Sequence, residues 1–538
     1  MKKNLLQRDD MNKYLRLFNT IKYMKIRQIN YRLFYIIRSK YRKFVNFSYP
    51  FSLTSSSVEL KLQKSIDSYN SFSNDNSFSF LNLSHKFEEE IDWNFIDLGK
   101  LWAYNLNYFE YLNQKNFEKE IALKLIDEFI DAIETNNEGL EPFPTALRGI
   151  NWVKFLTFHQ IKNQKIDDSL YAQYMILMDN LEYHLLGNHL LENGFSLLFG
   201  AYYFNDAVLY EKAKEILVEE LKEQILDDGA HFELTPMYHQ IMLFRVLDCL
   251  NLVKENNLFE KEFEKLLNSK AQIMLGWLKK FSYQDGTVAH FNDSTEGIAP
   301  TSNMLFKYAL ELGIDAKEIA LSDSGYRAIN YKDYELRVDV AEIGPSYIPG
   351  HAHSDTFNFE LRLFGKPFIV DTGISTYENN KTRINERQTQ SHNTVKIGNK
   401  DQSCVWSSFR VANRARINFL NEQEDSIVAS HDGYKKLGII HQRRFKTTEN
   451  SINIKDLLIG NYNAGHTHVA YIHFHPTITD IKLQEDKIII KDIILSINGS
   501  KNFKLDDFTF ANGFNKLESA KVLKITFDNK LFVNISLN

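Results

Sequence analysis

Two histidines one residue apart, His351 and His353, lie in the segment Gly350-His351-Ala352-His353-Ser354-Asp355. In an extended backbone they share a face, because side chains along a strand repeat every second residue. Asp371 follows at a distance, and then Ser391-His392-Asn393-Thr394. Two imidazoles, a carboxylate and a third imidazole are the groups that bind a zinc-class metal or move protons near neutral pH. A His-x-His pair alone is common in a chain with 16 histidines, so the weight comes from its surroundings. Asp371 closes a very apolar run, Lys366-Pro-Phe-Ile-Val-Asp371-Thr-Gly373. A carboxylate at the end of a buried strand needs a partner, because burying it unpaired is costly.

Three further clusters lie upstream. Gly187-Asn188-His189-Leu190-Leu191-Glu192-Asn193-Gly194 falls where one helical pattern ends and the next begins. Asn188 and His189 read there either as helix caps or as site residues. In Asp227-Asp228-Gly229-Ala-His231-Phe-Glu233-Leu-Thr-Pro236-Met-Tyr238-His239, Pro236 suits the first turn of a helix and sets Tyr238 just inside it. Tyr238 and His239 also read as ordinary core and surface positions. Phe291-Asn292-Asp293-Ser294 is a polar turn after an apolar segment; it is expected to shape a cleft rather than to react.

These residues need elements to hold them. Ile121, Leu125, Ile126, Phe129, Ile130 and Ile133 recur at helical spacing, and similar periodicity covers 170–187, 193–204, 206–226, 238–256 and 261–281. Asn-Glu-Gly, Asp-Asp-Gly and Gln-Asp-Gly turns connect them. Successive helix pairs of this kind build bundles, solenoids or closed toroids, and periodicity does not choose among these. Near residue 325 the period changes to alternation, as in Tyr334–Ala341, Thr356–Phe364 and Lys487–Ile497. Helices first and strands afterwards predict an α-domain followed by a layered all-β domain. The His-x-His segment falls early in the β half, where a cleft facing the helices is expected.

The chain has 538 residues, long enough for two or three domains. Hydrophobic content of 43% and charged content of 25% belong to a folded globular protein, and 40 Phe and 27 Tyr suit either large cores or sugar-binding clefts. A net charge of -5 argues against a globally basic nucleic-acid binder. Cys249 and Cys404 give neither a disulfide framework nor a cysteine metal motif. The first forty-five residues are strongly basic, with aromatic and aliphatic residues interleaved. They lack the uninterrupted apolar core of a signal peptide or a membrane span. A helical arm packed on the body and a basic amphipathic helix touching a membrane are both open. Without a visible signal the default expectation is a cytoplasmic protein. Residues 52–78 are rich in Ser and Asn and read as a linker.

Six motifs in order carry a resemblance. Trp102-Ala-Tyr104-Asn-Leu-Asn-Tyr108, Arg148-Gly-Ile-Asn-Trp152, Asn188-His189, Glu233-Leu-Thr-Pro-Met-Tyr238-His239, His351-Ala-His353-Ser-Asp355 and Arg387-Gln-Thr-Gln-Ser-His392-Asn-Thr span roughly residues 95–410. Together they resemble the heparinase II/III family of polysaccharide lyases. The resemblance implies an α+β multidomain protein: an N-terminal (α/α) toroid followed by a C-terminal antiparallel β-sandwich. The expected division is a basic helical arm at 1–51, a Ser/Asn-rich linker at 52–85, the toroid at 86–322 and the β-sandwich at 323–538.

The implied reaction is β-elimination at a uronic acid of an acidic polysaccharide. It requires a group that neutralises the carboxylate, a base for the C5 proton and an acid for the leaving oxygen. By resemblance Asn188 takes the first role, Tyr238 and His351 the acid and base roles, and His189 assists. His353, Asp371 and His392 match metal ligands, implying one structural divalent ion of the zinc class. Arg383, Arg387, Trp152 and Tyr104 are the candidates for substrate binding. The absence of a visible export signal favours a role in capsule or surface-polysaccharide metabolism, with a periplasmic address, usual for the family, as the alternative. Two other readings stay open: a metal-assisted glycan hydrolase built on His351, His353, Asp371 and His392, and a non-catalytic binder of acidic glycans.

Overall fold

A computed structural model describes residues 13–460 and 466–537 of the chain. The first twelve residues of the expected basic arm lie outside the described residues. The arm continues as α1 (Lys13–Ile21) and α2 (Ile26–Phe44). A helical body follows: α3 (Lys100–Tyr108), α4 (Lys119–Ala132), α5 (Pro142–Phe158), α6 (Gln164–Asp179), α7 (Gly187–Phe204), α8 (Ala207–Gln224), α9 (Pro236–Glu255), α10 (Lys261–Phe281) and α11 (Ser302–Glu311). Local chemistry sets their starts. Asn163, Asp206 and Thr301 cap α6, α8 and α11 with side-chain oxygens that accept backbone N–H groups. Pro142 and Pro236 open α5 and α9, where a missing N–H costs nothing. Helix α5 packs on α7, α7 on α8 and α9, and α9 on α10. One apolar core runs through all of them.

The Ser/Asn-rich segment expected to be a linker is instead a docked strap. Its backbone and hydroxyls bond to the helices: Leu53 N–H to the Asp168 carbonyl, Val58 N–H to Tyr203, Ser57 Oγ to Asp167 and Ser65 Oγ to Asp248. Its small polar side chains satisfy helix groups at close range, so the composition reflects docking rather than slack. Ser71–Ser77 supplies the first strand and the first turn of a three-stranded sheet, β1 (Phe72–Ser73), β2 (Ser77–Phe80) and β3 (Leu83–Lys86).

The strands of the β half begin at Tyr326. A four-stranded antiparallel sheet comprises β4 (Tyr326–Asn330), β5 (Tyr334–Asp339), β6 (Phe359–Leu363) and β7 (Lys366–Ile369). After a short helix, α12 (Lys381–Glu386), come β8 (Val395–Ile397) and a small hairpin of β9 (Val405–Trp406) and β10 (Arg410–Val411). The remaining strands are β11 (Ile417–Gln423), β12 (Ser426–His431), β13 (Ile439–Thr448), β14 (Ser451–Gly460), β15 (His468–His473), β16 (Lys482–Leu483), β17 (Lys487–Ile490), β18 (Ile493–Ala511) and β19 (Leu517–Leu537). They form a ten-stranded sheet in the order β11-β12-β13-β14-β19-β18-β17-β16, with β15 joining β19 to β8. Alternate residues of both sheets meet in one core, including Leu336, Phe359, Phe445 and Ile525.

Two alternating runs are broken by the backbone. Lys491 adopts φ 53° and turns Lys487–Ile497 into the β17–β18 hairpin; Phe357, at φ 72°, delays the strand expected from Thr356 until Phe359. The helical and β halves are joined beside the future site. Arg337 of β5 donates to the carbonyls of Phe281 and Ser282 at the end of α10. The His-x-His segment lies in the loop between β5 and β6, facing the helices.

Candidate active site

Asp293 is the hub of the site. It is fully buried and accepts from His351 Nδ1 at 2.8 Å, from His353 Nε2 at 2.8 Å and from both terminal nitrogens of Arg383. Burial by itself would raise its pKa, but Arg383 and the two imidazoles outweigh it and hold the carboxyl well below the usual range. The two histidines bond the same carboxylate, although their segment is a loop and not the extended strand on which the shared face was argued. An ionised Asp293 fixes hydrogen on Nδ1 of His351 and leaves Nε2 as the basic nitrogen. That Nε2 lies 3.9 Å from Glu233 Oε2.

Glu233 anchors Asn188. The Asn188 backbone N–H donates to one carboxylate oxygen at 3.2 Å and its Nδ2 to the other at 2.9 Å. Because a carboxylate only accepts, the amide must present nitrogen to Glu233, leaving its second hydrogen and Oδ1 for a ligand. Asn188 and His189 lie in the first turn of α7, inside the helix rather than at its cap. The entry is a tight backbone reversal, with Leu186 at φ 62° and Gly187 at φ 61°. A Cβ on Gly187 would sit 3.0 Å from Glu233 Oε1 and 3.2 Å from Ile348 Cδ1, so at this positive φ glycine is strongly favoured and a larger residue would push on Glu233. Leu234 and Asn292, next to Glu233 and Asp293, also hold positive φ, and Asn292 Nδ2 donates to the Leu234 carbonyl at 2.8 Å. Left-handed residues thus cluster where site side chains leave the backbone. His189 is half-buried, with Nδ1 3.0 Å from Glu182 Oε1. Burial opposes its charge, yet Glu182 prevails and its pKa is raised.

Tyr238 stands in the first turn of α9, its ring centroid 4.2 Å from that of His351. Its hydroxyl is 3.3 Å from the hydroxyl of Tyr377. Burial, opposed by that hydrogen bond, raises its pKa, so the phenol stays protonated at neutral pH. Tyr377 and Phe409 flank His351 at 5.8 Å each, an aromatic wall contributed by the β half. Along the helical wall Tyr104 approaches Tyr108 at 6.1 Å, Tyr108 approaches Phe143 at 6.0 Å, and Phe143 approaches His189 at 4.8 Å. Tyr104 is half-buried and its hydroxyl donates to Glu141.

Three substrate-binding expectations are corrected. Arg383 is fully buried, paired with Asp293 and bonded through Nε to the Ser408 carbonyl at 3.1 Å. Arg387 is equally buried and spends its donors on the carbonyls of Ala352, Ser407 and Ser408. Burial pulls its guanidinium down to about 9, with Arg383 nearby adding to the effect. Neither guanidinium has a face left for a sugar carboxylate. Trp152 packs between Phe109 and Phe129 in the helical core, at 5.4 and 5.7 Å.

His353, Asp371 and His392 are buried together. His392 Nδ1 lies 2.7 Å from Asp371 Oδ2, and the His353 and His392 rings are 5.3 Å apart. Asp371 also accepts from Asn358 Nδ2 at 2.5 Å and from Gly373 N–H at 3.0 Å, which supplies the partners its burial demands. His353 Nδ1 and His392 Nε2 are buried with no protein partner. Those orphaned nitrogens, with the neighbouring carboxylate, suit a zinc-class ion in donor type and burial. Among the described residues, though, no three His, Cys, Asp or Glu groups converge as a formed metal centre requires. As they stand, each imidazole is aimed at its own carboxylate.

Sequence reasoning missed Glu233, Glu182 and Tyr377 and gave Asp293 only a shaping role. Glu233 and Asp293 both stand in polar turns flanked by apolar residues, the setting in which a carboxylate must find partners. Tyr377 carried no local signal.

A helical body with a β half closing over it brings an Asn, a Tyr and a His together at their junction, the arrangement of a two-part protein with its cleft between the parts. The model for the heparinase II/III N-terminus matches residues 153–319, and that for the heparinase II/III-like C-terminal region matches 314–527. The chain belongs to the heparinase II/III family. The heparin-sulfate lyase of Pedobacter heparinus is 29% identical over 245 residues, covering 40% of this chain and 36% of the relative. That of Bacteroides stercoris is 28% identical over 245 residues, covering 41% and 37%. The chain thus matches little more than a third of the length of these curated relatives. Among solved structures, Heparinase III superposes with a TM-score of 0.63 at 17% identity, over 84% of this chain and 80% of the other. Heparan sulfate lyase HepC from Pedobacter heparinus gives 0.57 at 17% identity, over 86% and 81%. The likeness to these structures is one of fold.

Proposed function

We propose that this chain is a polysaccharide lyase that cleaves a uronic-acid-containing, glycosaminoglycan-like polysaccharide by β-elimination. The observation that carries the reading is the joint geometry of Asn188, His351 and Tyr238. Asn188 and His351 meet the same Glu233, while Tyr238 lies against the His351 ring. Elimination beside a carboxylate fits these groups in order. The free amide hydrogen of Asn188 bonds the substrate carboxyl, so that charge withdrawn from C5 is stabilised. His351 Nε2 takes the C5 proton, and Asp293 stabilises the imidazolium that results. The Tyr238 hydroxyl gives its proton to the departing glycosidic oxygen, with Tyr377 sharing the hydrogen bond. His189, held by Glu182, lines the same cleft, and Tyr104 extends its aromatic wall. The relatives named for acting on heparin sulfate support an acidic glycan as substrate.

The finer architecture belongs to the same proposal: residues 86–322 form an incomplete (α/α) toroid and 323–538 a β-sandwich, with capsule or surface polysaccharide as the biological setting. His353, Asp371 and His392 would hold one divalent ion, which would fix the loop carrying His351 and take no part in the proton transfers. Their full burial argues against the hydrolase reading, because a polysaccharide cannot reach a water held among them.

The test is incubation with a panel of acidic polysaccharides. Elimination creates a conjugated, ultraviolet-absorbing uronide, whereas hydrolysis creates only new reducing ends. Reducing ends without absorbance would sink the lyase reading. Saturable binding with neither product would leave a glycan-binding protein.

A further inference from the structure

Helix α2 is built inside out. The stripe Gln28, Tyr31, Tyr35, Arg38 and Arg42 faces the body. Gln28 Nε2 donates to the Leu185 carbonyl at 2.9 Å, Tyr31 stacks on Tyr183 at 4.6 Å, Tyr35 donates to Leu181, and Arg38 and Arg42 pair with Asp179. The opposite face is apolar and bare. Ile26 is 76% exposed, Ile37 67% and Phe44 84%, with Leu33 and Tyr41 exposed between them. In α1, Phe18 and Ile21 are exposed as well.

The rim of this face is positive. Arg32, Lys40 and Lys43 supply its positive charge, Arg27 being paired with Glu219 of α8, and no acidic residue occurs between Asp10 and Glu59. Lys40 and Lys43 form no ion pair among the described residues. At the end of α2 a groove lined by Arg38, Arg42, Lys43 and Asn46 opens beside the apolar face. The arm is fixed to both halves. Lys25 pairs with Glu223 of α8 and lies over Tyr347; Trp406 of β9 donates to Thr20; Arg414 lies over Tyr23. Tyr347 in turn packs 6.1 Å from Phe232, next to Glu233. All of α1 and α2 precede the stretch that the family models match.

We infer that the exposed face of α1 and α2 is a membrane-docking surface that seats the protein on an anionic phospholipid bilayer. Apolar side chains over roughly half the helix circumference, bordered by Arg and Lys, match the acyl boundary and headgroups of such a surface. Among the described residues no helix is long and apolar enough to cross a membrane, so the contact lies along the surface. A second copy on this face would bring one basic rim against another, which opposes pairing. Through Lys25, Tyr347 and Phe232 the arm is tied to the segment that carries Glu233. The inference stands apart from the elimination chemistry, since none of these side chains lies in the cleft.

The experiment uses the full chain, sedimented with vesicles of phosphatidylcholine containing phosphatidylglycerol and with phosphatidylcholine alone. The protein is expected to partition at least about tenfold better into the anionic vesicles, and I37E/F44E to abolish that gain. Thermal unfolding of I37E/F44E should match that of the unaltered chain, because both side chains point into solvent. Equal partition into neutral vesicles would overturn the inference, as would undiminished binding by I37E/F44E. So would a dimer by light scattering that I37E/F44E dissociates, with no vesicle binding by the unaltered chain.

Discussion

Asp293 holds His351 through a 2.8 Å bond to Nδ1 while Arg383 grips both of its oxygens. A loop after α10, a loop before β6 and α12 meet in that one contact. It assigns the basic nitrogen of His351 to the cleft and makes the reactive geometry depend on a buried ion pair.

Asp293→Asn should therefore lower turnover by about 10²–10⁴-fold, because the imidazolium loses its counter-charge and its fixed tautomer. Removing one member of a buried pair also destabilises, by about 3–5 kcal/mol, since Arg383 is left uncompensated. Turnover and thermal unfolding measured together check this. Turnover close to the unaltered chain would show that His351 does not depend on Asp293.

Asn188→Ala is expected to slow the reaction, and Asn188→Asp to be at least as damaging. A carboxylate at 188 would face Glu233 at hydrogen-bonding distance and would stand beside the substrate's own charge. Rates of the two variants at saturating polysaccharide decide it; an active Asp variant would remove Asn188 from the neutralising role.

The order of helices and strands was legible because apolar periodicity records burial directly. The clustering of Asn188, Tyr238 and His351 followed from motif resemblance. What the sequence concealed was pairing. Arg383 and Arg387 looked available for a substrate carboxylate, and only the fold shows that Asp293 and backbone carbonyls consume their donors. The strap of residues 52–85 looked slack because Ser and Asn are common in loops; its hydroxyls instead bond Asp167 and Asp248 far along the chain. The carboxylate that would crowd a Cβ at Gly187 lies 46 residues away, and no local pattern reveals that.

If His353, Asp371 and His392 hold an ion, protein purified without chelators or a histidine tag should carry about one equivalent of a zinc-class metal by elemental analysis. His353→Ala should then lose metal and melt at lower temperature. Substoichiometric metal in the unaltered chain would leave a hydrogen-bonded cluster.

The β-domain has its own acid sensitivity. Asp456 on β14 pairs with Arg443 on β13 at 2.7 and 2.9 Å and with His441 at 2.7 Å. Burial would raise its pKa, but Arg443 and His441 bring it down to about 2 from 3.8. A carboxyl with a depressed folded-state pKa stabilises fully above its unfolded value, so this contribution is present above about pH 4 and lost as pH falls towards 2. The midpoint of denaturant unfolding should decline across that window. In Asp456→Asn that part of the decline should be missing; an unchanged acid limb would show that the pair does not contribute it.

The central claim is elimination by His351 and Tyr238, and one measurement reaches it most directly: ultraviolet absorbance of unsaturated uronide with the unaltered chain, Tyr238→Phe and His351→Ala on the same acidic polysaccharide. The account predicts a steady rise for the unaltered chain and rates lower by about 10²–10⁴-fold in both variants, with circular dichroism unchanged. A rise of equal rate in either folded variant would contradict it.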